Sequence, residues 1–322
     1  MKRRCLLGGM IALPAAARAQ PASRRPRIGI LFLRAASELG PGEVLLISEL
    51  NELGWVDGRN AQFDVRYTDG SDEQLKVAAE ALVAGKPDVI FTYSTGVGAA
   101  AQATRTVPIV QATGPDPVVL GYAASLARPG GNVTGMAFFY TELMAKRLEI
   151  LKDVVPALSK AGVLVPQSMV RGPLCDALEA AAKTLSLTLE VAEAPDLASI
   201  EPLMTQFAAA GVQGVVVSDQ DLFVRRASAE TIAGLALRHR LPTVGALQLV
   251  QAGTLLAYGV DFAGQFRRSA TFVDRILKGT PPAELPFEQA TTFQFVVNLR
   301  TARALGLAVS PTVLARANEV IE

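Results

Sequence analysis

The run Arg27-Ile28-Gly29-Ile30-Leu31-Phe32-Leu33, followed by the helix-patterned stretch from Gly42 to Leu53, sets the fold class of this chain. The first piece is a nearly continuous apolar strand, the kind that is buried on both faces in a parallel sheet. In the second, Val44, Leu45, Ile47, Leu50 and Leu53 recur at helical spacing, and Gly54 supplies a stop. The alternation then continues. Ala61 to Tyr67 reads as a strand and Glu73 to Ala84 as a helix closed by Gly85 and Pro87. Asp88 to Tyr93 is a third strand, Thr95 to Thr104 a Gly- and Ala-rich helix, and Val107 to Gln111 a fourth strand. Strands alternating with helices imply crossover connections and a parallel sheet with helices on both faces: an α/β unit.

The same order returns with different residues. Helices are expected at Met144 to Val155, Pro173 to Leu185, Ser199 to Ala210 and Ala227 to His239. Strands are expected at Lys160 to Val165, Thr188 to Glu193, Gly214 to Ser218 and Thr243 to Ala246. Two α/β units therefore lie in tandem, and the turn-rich Gly130-Gly131-Asn132-Val133-Thr134-Gly135 between them marks the first passage from one to the other. Two later extended pieces, Thr254 to Gly259 and Phe287 to Val297, are followed by helices at Gln265 to Leu277 and Leu299 to Leu305. A chain that ends this way returns to the first unit and comes back to the second. The expected organisation is two lobes, 27–136 plus 259–291 and 137–258 plus 292–322, with crossings near Gly135, Gly259 and Thr291.

The full chain has 322 residues, half of them apolar, which is ample for two packed cores. Its 31 Lys and Arg against 30 Asp and Glu give no concentrated basic character for nucleic acid. One His and two Cys exclude a His- or Cys-rich zinc site and a disulfide framework. The N-terminus reads as a leader: Lys2, Arg3 and Arg4 precede the apolar run Cys5 to Leu13, and Ala17-Arg18-Ala19 fits the small-x-small pattern of a cleavage site. Residues 1–19 are thus a signal peptide cut after Ala19, giving an exported, periplasmic chain. The apolar run is too short for a permanent membrane anchor. Cleavage removes four basic residues and takes the net charge from +1 to −3.

Enzyme templates are absent. The chain has no phosphate-binding G-x-x-x-x-G-K-[ST], no G-x-S-x-G elbow and no H-E-x-x-H. The single histidine, His239, falls at a helix end where a cation suits the dipole, and Cys175 falls among Leu174, Leu178 and Ala182 as a small apolar residue. No catalytic, cofactor or metal residue is assigned. In open parallel sheets ligands bind beyond the carboxyl ends of the strands, so those ends carry the candidates. Ser94 and Thr95, with the N–H groups of the helix that follows, form a carboxylate site or simply cap that helix. Thr113 and Asp116 lie in a rigid loop, with Asp116 open either to a ligand ammonium or to a capping role. Asp219 is similarly placed on the other unit, and Arg34 pairs with a ligand carboxylate or stays in solvent. Phe138 and Tyr258 lie beside crossings, where an aromatic ring packs on an apolar ligand part or in the core. If extended, Phe138 and Tyr140 point opposite to Phe139.

The run Ala127-Arg128-Pro129-Gly130-Gly131-Asn132-Val133-Thr134-Gly135 resembles the LARPGGNVTG signature of the ABC transporter substrate-binding family, which includes tryptophan- and tyrosine-associated binding proteins. Glu52 to Asn60, Asp116-Pro117-Val118, Lys146 to Lys152, Ile276 to Gly279 and Leu305-Gly306-Leu307 extend the resemblance in order along the chain. It implies a type I periplasmic-binding-protein fold: two Rossmann-like lobes with parallel sheets, joined by three crossovers. It also implies a monomeric receptor that captures an amino acid or related carboxylate between the lobes and serves an ABC permease and ATPase on other chains. Where the family often has Asn-Pro, this chain reads Pro166-Gln167, which bears on the ligand. The rivals are an α/β enzyme acting on a small carboxylated substrate and a ligand-sensing module.

Overall fold

The computed structural model describes residues 24–38, 40–68, 71–166 and 172–322. The leader at residues 1–19 and Gln167 lie outside the described residues.

Two mainly parallel sheets flanked by helices make up the molecule. The first half supplies β1 (Arg27–Phe32), α1 (Pro41–Glu52), β2 (Gln62–Tyr67), α2 (Asp72–Ala84), β3 (Val89–Thr92), α3 (Thr95–Ala103), β4 (Ile109–Gln111) and β5 (Val133–Ala137). The second half continues with α4 (Tyr140–Val154), β6 (Lys160–Pro166), α5 (Pro173–Thr184), β7 (Thr188–Ala194), α6 (Ile200–Ala209) and β8 (Val215–Val217). Next come α7 (Asp221–Val224), α8 (Arg226–Arg238), β9 (Thr243–Gly245), α9 (Leu247–Gln251) and β10 (Leu256–Val260). The chain ends with α10 (Phe262–Leu277), β11 (Glu288–Gln289), β12 (Phe293–Asn298), α11 (Leu299–Leu305), α12 (Pro311–Leu314) and β13 (Glu319–Ile321).

Sheet one has the order β11-β5-β4-β3-β1-β2, and sheet two has the order β13-β12-β10-β9-β8-β6-β7. The five leading strands of each half follow one plan, with the first strand between the second and third. All described pairings are parallel except that of β10 with β12, whose register sets Tyr258 opposite Phe295. Each fifth strand hands the chain to a helix of the other sheet. β5 leads to α4, which packs on β8, β9 and β10, and β10 leads to α10, which packs on α1, β3, β4 and β5. The cores follow this exchange. Phe266, Ala270, Phe272, Val273 and Ile276 of α10 join the core of sheet one, whereas Leu143, Met144, Leu148 and Leu151 of α4 join that of sheet two.

The central strands β1, β3, β4 and β5 are buried almost throughout, which accounts for their mostly apolar composition, with Thr92, Gln111 and Thr134 as buried polar exceptions. The edge strand β2 is exposed at both ends and alternates instead. Gly130 to Gly135 corrects one expectation. Its second half is not a passage between units, because Val133–Ala137 forms β5 inside sheet one, and the chain leaves through Phe138 and Phe139. Gly135 explains the turn-like composition. Its φ of +134° is open to glycine, and a Cβ there would collide with the backbone of Gln111 on β4.

Candidate functional site

The carboxyl ends of β1, β3 and β4 build one wall. Glu43, buried in the first turn of α1, accepts a hydrogen bond from the Tyr93 hydroxyl at 2.9 Å, and that hydroxyl accepts one from Leu33 N–H at 3.2 Å. Arg34 Nε lies 3.3 Å from Glu43 Oε1, so the guanidinium is engaged by its own lobe. So paired, Arg34 is not a free loop cation. Ser94 precedes α3 with φ +49° and ψ −130°, a conformation costly for a side chain with a Cβ. Its hydroxyl makes no capping bond, while its N–H donates to Thr113 O at 3.1 Å. Thr95 begins α3 with its side chain exposed. Thr113 is 7% exposed, and its hydroxyl has no partner.

Asp116 takes the capping alternative. Its carboxylate accepts Val118 N–H at 2.8 Å and closes the turn after Pro115. The sequence offered Asp116 as an ammonium receptor because it follows a strand end; the Pro-flanked turn uses that carboxylate locally.

The opposing wall comes from sheet two. Asp219 follows β8 and is 3% exposed at its side chain, 2.6 Å from Nη1 of Arg147, which is itself fully buried on α4. The pair is close yet poorly directed, and neither Asp219 oxygen accepts a well-aligned hydrogen bond. The Tyr140 phenol, fully buried at the start of α4, lies beside Ser218 and Asp219. Burial, reinforced by the Asp219 charge, pushes its pKa up to about 12. Tyr140 Oη, Ser218 Oγ, Gln248 Oε1 in the first turn of α9, and both amide atoms of Gln265 in the first turn of α10 have no partner of good geometry. Among the described residues, these atoms, with those of Thr113, Arg147, Asp219 and Thr254, are the buried side-chain polar atoms left without a hydrogen bond. All but Thr254 gather past the carboxyl ends of strands or at a crossing.

The aromatic candidates lie at the crossings. Phe138 packs edge-on against Tyr140, at 6.1 Å between ring centroids, and against Phe262 at 5.9 Å, while Phe139 faces outward. Tyr258 stacks on Phe293 at 5.7 Å with the rings nearly parallel. Phe138 and Tyr258 both line a groove of about 260 Å³ between α4 and the first and third crossings, with Glu142 and Lys146 among its other walls. Ser94, Thr95 and Thr113 thus lie past the carboxyl ends of β3 and β4 and Asp219 past that of β8, while Arg34 pairs with Glu43 and Asp116 accepts from Val118.

Sequence reasoning passed over Glu43, Arg147, Gln248 and Gln265, and weighed Tyr140 only as an aromatic ring beside Phe138. Arg147 alone carried a signal, since it is a charge within the apolar stripe Leu143, Met144, Leu148, Leu151. No group of three or more His, Cys, Asp or Glu among the described residues is arranged to hold a metal ion.

The arrangement, two α/β units with unpartnered polar groups beyond their strand ends, coincides with one sequence profile. Residues 45–321 match that of the ABC transporter substrate binding proteins. The chain belongs to this family. A curated relative, the tyrosine-binding protein of Clostridioides difficile, is 26% identical over 288 residues, covering 88% of this chain and 82% of its own. The crystal structure of an ABC domain in complex with L-Trp from Streptococcus pneumonia superposes with a TM-score of 0.84 at 23% identity, over 92% of this chain and 100% of that one. The ligand-free, open structure of a Clostridium difficile substrate binding protein with adhesive properties gives 0.69 at 23%, over 92% and 99%. The substrate-binding fold is therefore of the type I periplasmic class, in two mainly parallel sheets. No described helix of this family member is long and apolar enough to cross a membrane.

Proposed function

We propose that this chain is the extracytoplasmic solute receptor of an ABC importer. It captures an amino acid, aromatic side chains included, and delivers it to permease and ATPase subunits on other chains. The observation that carries this reading is the set of buried, unpartnered polar atoms on both walls, from Thr113 and Gln265 on one side to Tyr140, Ser218, Asp219 and Gln248 on the other. Buried polar groups left unpaired cost roughly 1 to 3 kcal/mol each, so a site of this kind calls for a polar ligand that satisfies them. The name of the C. difficile relative and the L-Trp held by the streptococcal protein agree with an aromatic amino acid.

The ligand carboxylate is received by Ser94, Thr95, Thr113 and the positive end of α3, and its ammonium by Asp219. The role is capture by a monomer rather than catalysis. Export accompanies it, so mature protein should begin at Gln20, as N-terminal sequencing would read; an intact Met1 would refute cleavage.

A thermal-shift screen across the amino acids, followed by calorimetry, tests the main reading. A ligand at 100 times its Kd should add about 2.7 kcal/mol of stability. If no amino acid shifts the transition, the reading is wrong.

A further inference from the structure

Strand β9 ends at Gly245 and turns into α9 two residues later. Its neighbours β8 and β10 consequently have no strand between them past that point. The Arg147 guanidinium reaches up from α4 and occupies the gap. Nη1 donates to Val217 O at 3.0 Å at the end of β8, and Nε donates to Tyr258 O at 2.7 Å on β10. Nη2 lies beside Gly259. The arginine thus replaces missing ladder contacts, and the same fork holds Asp219 at 2.6 Å. A Lys ammonium cannot serve three acceptors in fixed directions from one planar group.

Asp219 would be expensive without this partner, because a buried carboxylate with no counter-charge is strongly disfavoured. Its oxygens nonetheless keep acceptor capacity, and Tyr140 and Ser218 stand beside it. We infer that Arg147 is a positioning residue for ligand recognition. Anchored on two strand ends, it holds the Asp219 carboxylate where the ligand's ammonium group meets it, without touching the ligand itself. This rests on the reading of the cleft as an amino-acid site.

L-Tyrosine and its deaminated analogue, hydroxyphenylpropionate, are the probes, titrated calorimetrically into the mature chain. Positioning predicts that Arg147→Met lowers the preference for the amino acid over the analogue by roughly ten- to a hundredfold, as expected when a charged hydrogen bond is lost. Arg147→Lys should fall between that variant and wild type, and the analogue's own affinity should hardly move. In an Asp219→Asn background, Arg147→Met should change the preference no further. An unchanged preference in either folded Arg147 variant overturns the inference and leaves Arg147 a structural residue. An unchanged preference in Asp219→Asn overturns it too, while leaving amino-acid capture intact.

Thermal unfolding without ligand keeps the test independent of tyrosine. Arg147→Met should lower Tm more in the wild-type background than in the Asp219→Asn background, and recovery of folding by the double variant would be the same coupling at its strongest. Additive shifts would refute the coupling. If wild type binds neither tyrosine nor any other amino acid, the capture reading fails and the positioning inference with it, and the unfolding arm then reports only the ion pair.

Discussion

Tyr140 holds its phenol where water does not reach, and this has a consequence at high pH. Desolvation comes first, then the neighbouring Asp219 carboxylate; both favour the protonated form, while Ser218 and Arg147 act the other way and only in part. With the folded pKa near 12 and that of an unfolded tyrosine about 10, the unfolded chain loses its proton first as pH rises. The contribution to stability is therefore complete below about pH 10 and is lost towards pH 12, by roughly 2 to 3 kcal/mol. Tyr140→Phe removes that dependence. Urea denaturation of both proteins should give a stability difference that is constant up to about pH 10 and then falls for wild type relative to the variant. A difference flat through pH 11 would mean the phenol is open to solvent.

The same residue marks the limit of the sequence reading. Alternation put Phe138 and Tyr140 on one side and Phe139 on the other, and the two former rings do touch while Phe139 is exposed. Whether that side faced ligand, core or hinge depended on Phe262, over a hundred residues away in sequence. Position after a strand was the criterion for Thr113, Asp116 and Asp219 alike. It could not tell Asp219, which is held by a buried arginine, from Asp116, one oxygen of which accepts an N–H of its own turn.

At the scale of elements, α10 shows why order along the chain is not order in space. It follows a strand of sheet two yet seals sheet one, because its apolar stripe meets Phe91 and Tyr93 there. The Phe266 ring lies 5.8 Å from the first and 5.1 Å from the second, and Gly42 of α1 leaves it room. Asp261 caps the helix by accepting Gly264 N–H, which fixes where the chain changes lobe. Phe266→Ala should cost about 3 to 5 kcal/mol, the usual range for deleting a buried phenylalanine, since strands on one side and α1 on the other limit collapse of the cavity. Chemical denaturation would read the loss, and hydrogen exchange should show it first in α10 and α1. A cost under about 1 kcal/mol would mean α10 is only loosely docked. The long amphipathic helices were legible by their period, and the buried strands β1, β6 and β8 by their near-continuous apolar runs. The short β13 and the five-residue α9 were not, for they have too few residues to show a period, while β11 was read only as part of the longer extended piece Phe287 to Val297. β5 was read as a turn because glycine is required there by close approach to β4, and composition cannot separate that need from a bend.

The whole molecule has two cores and three short connections. Phe138-Phe139, Asp261 and Ala290 to Thr292 carry the chain between sheets, and they are bonded to one another and to sheet one. Phe138 N–H donates to Gly114 O, Ala290 N–H to Ala137 O, and Asp261 N–H to Thr292 O. Such a junction is fixed at its base, so relative motion of the lobes reduces to opening and closing about it. Thr113, Gln265, Ser218 and Asp219 are buried here without partners, at a cost of roughly a kilocalorie or more for each unpaired group. Without ligand that cost favours the open form, in which water satisfies the same atoms; a polar ligand removes the cost and shifts the population to the closed one. Small-angle scattering of the mature protein should therefore show a smaller radius of gyration when the amino acid found by screening is added at saturation. The effect should be lost in Asp219→Asn at the same ligand concentration if occupancy falls with affinity, and should return at a ligand concentration that restores occupancy. Identical scattering curves with and without bound ligand would mean the lobes are locked, and that the unpartnered groups are satisfied by water held permanently between them.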